Sequence, residues 1–112
     1  MNDKLFKELY TAALADDDKA AYVSDWALSS VWEDDPASEI PPERIGQLEG
    51  IWDVAHLSIR DIRAKLGFTQ VGFSHRYLIP ARTIGNWETG TSACPSYLRL
   101  LLAESAGLYK RP

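Results

Sequence analysis

The 112-residue chain has a single cysteine, Cys94, so an intramolecular disulfide is excluded and no zinc site can rest on thiolates. Its two histidines, His56 and His75, stand nineteen positions apart with no partner at ligand spacing, and each reads as an ordinary surface or half-buried side chain. No apolar run approaches the length of a membrane span, and "MNDKLFKELY" at the start has no signal-peptide core. A cytoplasmic protein with no membrane contact is the expectation. No alternating strand pattern of useful length occurs. There is no glycine-rich phosphate loop, no nucleophile with a base close in sequence, and no metal-ligand cluster. These gaps argue against an enzyme and against any bound cofactor. The aspartates and glutamates at 16–18 and 33–35 lie in polar runs with turn character and read as solvated charge.

What is present fits a folded helical protein. The apolar fraction is 46% and the charged fraction 25%, ordinary values for a globular chain. The net charge of −4 hides an asymmetry. Residues 1–56 hold 13 Asp/Glu against 4 Lys/Arg, and residues 57–112 hold 8 Lys/Arg against 3 Asp/Glu. A polyanion is repelled by the first half and attracted by the second.

Helical periodicity is visible along most of the chain. Leu5, Phe6, Leu9, Ala13 and Leu14 share a face of a helix over 3–15. The "DDD" at 16–18 breaks that helix and caps the next, expected over 19–33 with Tyr22, Val23, Trp26, Ser30 and Val31 on one side. "EDDPASEIPP" at 33–42 is polar and proline-rich, hence a loop. Pro42 suits the first turn of a third helix running to Ala55, with Ile45, Leu48, Ile51, Trp52 and Ala55 as its apolar face.

Beyond His56 the helices shorten. Ser58 caps "SIRDIRAKLG" with Asp61 as its capping-box partner, and Gly67 ends it. Thr69 caps "TQVGFSHRYL". Pro80 opens a helix that Gly90 closes, and Pro95 opens the last one, closed near Gly107. Cys94, just before Pro95, suits a small cap better than a reactive thiol. The chain therefore reads as all-α with about seven helices and two segments, 1–56 and 57–112.

Within the helix opened by Pro80, Ile84 and Trp87 are three apart and face a core. Arg82, Gly85, Asn86 and Thr89 fall on one outward stripe, and Arg and Asn are side chains able to make bidentate contacts to base edges in a major groove. Gly85 inside a helix costs roughly 1 kcal/mol relative to Ala; close approach to DNA, or simple tolerance at an exposed site, both account for it. Arg60, Lys65, Arg76 and Arg99 are generic phosphate candidates.

"LGFTQ" at 66–70 and "IPARTIGNWETG" at 79–90, at this spacing, resemble the helix-turn-helix domain of the XRE/Cro-type phage-repressor family. The resemblance spans about residues 58–106; residues 1–56 match no named family. It implies a five-helix repressor-like domain in 57–112, in which helices at about 69–77 and 80–88 read double-stranded DNA, with 1–56 as an added acidic helical segment. It further implies DNA contacts from Gln70, Ala81, Arg82, Thr83, Gly85 and Asn86, and an orienting ion pair between Arg63 and Glu88. Pro80 and Gly85 depart from the family, which often has Ser or Thr at the first and a base-reading side chain at the second. Single modules of this kind usually act as symmetric dimers, so a homodimer is expected. The acidic half either packs on the domain or contacts a partner protein. A sequence-specific transcriptional regulator is the reading favoured by the motif. The alternative is an antitoxin-like or mobile-element protein-interaction module with weak or lost operator binding.

Overall fold

The computed structural model describes residues 1–34 and 38–112. Among the described residues there are seven α-helices, one short 3₁₀ turn and no strand. The chain divides into two compact units, Met1–His56 with Arg111–Pro112, and Leu57–Lys110.

The first unit is built on α1 (Asp3–Ala15), α2 (Lys19–Ala27) and α3 (Pro42–Ala55). Asn2 caps α1 by accepting from the Leu5 amide at 2.8 Å, and Asp18 caps α2 through the Ala21 amide at 3.1 Å. Each cap satisfies an amide that the helix leaves unpaired. Pro42 occupies the first turn of α3, where its missing N–H costs nothing. Phe6, Leu9, Tyr10 and Ala13 from α1, Tyr22 from α2, and Leu48, Ile51, Val54 and Ala55 from α3 form the core. The Tyr22 hydroxyl enters that core because it donates to the Leu9 carbonyl at 2.8 Å. Trp52 Nε1 donates to the Asp16 carbonyl at 2.9 Å, and His56, half-buried, stacks on Trp52 at 4.0 Å with Nε2 2.7 Å from the Ala13 carbonyl. The Arg111 guanidinium lies over the Phe6 ring at 4.7 Å.

Three expectations for this unit are corrected. The helix expected over 19–33 stops at Ala27; Ser29 then caps a 3₁₀ turn at Ser30–Trp32, so Ser30 and Val31 leave the Tyr22 face. Trp32 Nε1 donates to the Trp26 carbonyl at 2.7 Å, which folds the chain back over the helix end. The apolar face of α3 includes Arg44, not Ile45, which is exposed. Arg44 is buried because its guanidinium is well partnered: it grips Asp34 with two bonds of 2.6 and 2.7 Å, donates to the Ala27 carbonyl at 3.1 Å, and stacks 4.3 Å from the Trp32 ring. Asp34 is thus a structural partner and not free solvated charge; the Arg44 guanidinium holds its carboxyl below the usual range. Asp35 and the middle of the expected 33–42 loop lie outside the described residues.

The second unit comprises α4 (Ile59–Leu66), α5 (Gln70–Tyr77), α6 (Ala81–Thr89) and α7 (Ser96–Ser105). Ser58 and Asp61 make the capping box reciprocally, at 3.0 and 3.2 Å. Gly67 and Gly90 close α4 and α6 with φ of 72° and 79°, the left-handed region that glycine tolerates. Ile59, Ile62, Phe73, Ile84, Leu100, Leu102 and Ala103 form the core. The resemblance implies five helices here and the described residues show four. The six residues between α6 and α7 close α6 and start α7. Among the described residues no helix is long and apolar enough to cross a membrane.

Candidate nucleic-acid interface

The α5–turn–α6 pair is set by local chemistry. Thr69 caps α5 through the Gly72 amide at 3.0 Å. At the other end Leu78 takes φ of 57°, and the Ile79 amide donates to the Ser74 carbonyl at 3.2 Å, which turns the chain. A leucine in the left-handed region costs roughly 1–2 kcal/mol, and Leu78 is 90% exposed, so packing does not offset it. Pro80 then opens α6, with its carbonyl accepting from Ile84. Phe73 and Ile84 are fully buried, and the Phe73 and Tyr77 rings meet at 4.9 Å. Trp87 is half-buried: it packs at the margin of the core rather than within it.

The far end of α6 is tied to α4 through one carboxylate. The Glu88 side chain is fully enclosed. Arg63 Nη2 donates to Glu88 Oε1 at 2.6 Å, Nε donates to Oε2 at 3.0 Å, and Nη1 caps the Phe68 carbonyl at 3.0 Å. Arg60 Nε adds a third bond to the carboxylate, to Oε1 at 3.3 Å. The Arg63 guanidinium holds the Glu88 carboxyl below the usual glutamate range, against the opposing effect of burial. Arg63 is raised in turn by Glu88.

The residues singled out from the sequence fall into three environments. Gln70, Ala81 and Arg82 are exposed, the last two in the first turn of α6. Thr83, Gly85 and Asn86 are half-buried, so the outward stripe is narrower than the spacing alone indicates. Gln70 is part of the reason: its Oε1 lies 3.9 Å from where a Gly85 Cβ would stand. That is ordinary contact, so packing does not require glycine at 85. Arg63 and Glu88 are joined as described. Of the generic cations, Arg60, Lys65 and Arg76 are exposed, whereas Arg99 is half-buried with Nη1 on the Leu57 carbonyl at 2.9 Å. Cys94 Sγ sits 3.6 Å from the Pro95 carbonyl, and burial pushes its thiol up, away from reactivity.

Two participants escaped sequence reasoning. Arg60 as a second cation on Glu88 has a signal, since residues 60 and 63 lie three apart on one helix face. The approach of Gln70 to Gly85 has none, because it is set by the α5–α6 crossing. Among the described residues no group of three or more His, Cys, Asp or Glu side chains is placed to hold a metal. No family model, curated protein or solved structure matches this chain.

Proposed function

We propose that the second unit is a repressor-like helix-turn-helix domain of the XRE/Cro type that reads double-stranded DNA, with α6 entering the major groove. The observation that carries this reading is the anchoring of α6: Ile84 fixes one face in the core, Glu88 fixes the end, and Ala81 and Arg82 are left exposed at the start. A short helix held at its middle and far end with a cation at its leading turn is suited to rigid insertion into a groove about 12 Å wide. Arg82 reads a guanine edge through its planar fork, Asn86 an adenine edge, and Gln70 holds register at a phosphate. Ala81, Thr83 and Gly85 form the close surface between them. The basic balance of residues 57–112 supplies the attraction.

The protein acts as a transcriptional regulator and as a homodimer. Tyr97 and Leu101, one turn apart on α7 and 66% and 51% exposed, suit a self-complementary contact. Enrichment of one sequence from a random duplex pool, followed by gel shift, tests the reading. Recovery of no sequence above the input pool contradicts it.

A second reading has its own observation. Val71 on α5 and Leu78 in the turn that follows it are exposed apolar side chains, and the first unit carries a groove of about 490 Å³ lined by Ala20, Val23 and Ile45 with Lys19, Ser24 and Glu49. These favour an antitoxin-like or mobile-element protein-interaction module, with a partner protein held in part by the acidic unit.

A further inference from the structure

Glu88 carries one negative charge and is met by two guanidinium groups, which are not equivalent. Arg63 is 20% exposed and spends Nε, Nη1 and Nη2 on Glu88 and the Phe68 carbonyl. It neutralises the carboxylate. Arg60 is 64% exposed, and its Nε donates to Glu88 Oε1 at 3.3 Å. A guanidinium held through Nε to an enclosed carboxylate is restrained in its plane, and that bond does not use its two Nη groups. The cluster bears a net charge of +1, located on Arg60. Paired Nη donors on a fixed plane match two oxygens of a phosphodiester.

The position suits that ligand. Glu88 stands six positions beyond Arg82, about 9 Å along α6 at 1.5 Å per residue. With Arg82 at the groove floor, a group at the far end of α6 stands near the phosphate wall of a groove about 12 Å wide.

We infer that Arg60 is a preoriented phosphodiester-binding side chain, held by Glu88 at the flank of the groove that α6 reads. The inference rests on the DNA-reading proposal. It makes Glu88 a positioning residue twice over, for α6 through Arg63 and for a backbone contact through Arg60. Arg60 supplies affinity and register without base preference.

The experiment measures binding of the full chain to fluorescein-labelled duplexes, one enriched from a random pool and one scrambled, across a series of salt concentrations. Each phosphate contact contributes about 0.9 to the slope of log K against log salt. Arg60→Ala is therefore expected to reduce the slope by about 0.9 on both duplexes and to weaken binding about eightfold at 0.1 M salt. Lys7→Ala, the same charge loss on exposed α1, leaves the slope unchanged. Arg60→Lys, which keeps the charge but loses the Nε anchor and the fork, keeps the slope and binds more weakly than wild type. Circular dichroism of each variant separates these effects from unfolding, and if Arg60→Ala fails to fold, the Lys variant carries the test. Wild-type binding with Arg60→Ala indistinguishable from it overturns the phosphate site and leaves the DNA reading standing. Arg60→Lys equal to wild type overturns the anchored fork. No binding of wild type to either duplex at the lowest salt overturns the DNA reading and this site with it.

Discussion

Replacing Arg63 by Met leaves an enclosed carboxylate facing a gap. Two charge-assisted bonds to Glu88, at 2.6 and 3.0 Å, and one to the Phe68 carbonyl are lost. Bonds to charged groups contribute roughly 1.5–3 kcal/mol each. Breaking one side of a buried pair costs about 3–5 kcal/mol, mainly by stranding the other charge. Arg60 remains on the carboxylate, and Arg63 is not wholly buried, so the low end applies: about 3 kcal/mol. The double variant Arg63→Met with Glu88→Leu strands no charge and is expected to lose less than Arg63→Met alone. Because the chain has two units, urea unfolding is best followed by hydrogen exchange of α4 and α6 amides rather than by one global signal. A loss under about 1 kcal/mol for Arg63→Met, or a double-variant loss equal to the sum of the singles, refutes the reasoning. The same pair fixes a pH dependence. Glu88 has a folded pKa below its unfolded value, so its contribution is fully present above the ordinary glutamate pKa of about 4.3 and fades as pH falls through the folded value. The stability gap between wild type and Glu88→Gln should therefore shrink on acidification below about pH 4.3. A gap that stays constant or widens there contradicts the assignment.

Other perturbations probe separate parts of the fold. Phe73→Ala, at a fully buried site, should cost about 3–5 kcal/mol in denaturant unfolding, while Trp87→Ala, half-buried, should cost clearly less; the reverse order would place Trp87 in the core. Leu78→Asn should raise the melting temperature, since asparagine accepts the left-handed backbone and no packing is lost; a lower value would mean that the exposed leucine stabilises the free protein. Tyr22→Phe removes the hydroxyl's bond to the Leu9 carbonyl, which keeps its intrahelical partner, and should cost about 0.5–1.5 kcal/mol; an unchanged urea midpoint would show that this bond adds nothing net.

The legible parts of this chain were those where chemistry is local. Ser58 with Asp61, Gly67, Thr69, Pro42 and Gly90 each announce a helix end through their own side chain or the lack of one, and the structure places helix ends at all of them. The end of α2 was hidden because it depends on Trp32 reaching back to Trp26, a contact between a side chain and a backbone carbonyl six residues away. Arg44 left a trace: it stands at i, i+4 and i+7 with Leu48 and Ile51, yet an arginine on an apolar stripe is ordinarily read as an edge residue. Asp34, which makes its burial possible, sits in a polar run that gives no hint of a partner. At the candidate interface the stripe spacing located Arg82 on the surface. It did not register that Gln70, from the preceding helix, lies over Gly85 and narrows the exposed face.

The central claim is that α6 reads bases through Arg82, and binding of wild type and Arg82→Ala to an enriched and a scrambled duplex at two salt concentrations tests it most directly. Base reading predicts a loss of roughly 1–3 kcal/mol on the enriched duplex and relaxed preference at one base pair, with little change on the scrambled one. Equal losses on both duplexes, with a shallower salt slope, would reduce Arg82 to a phosphate contact and contradict the claim; failure of wild type to bind either duplex would shift the account to the protein-interaction reading.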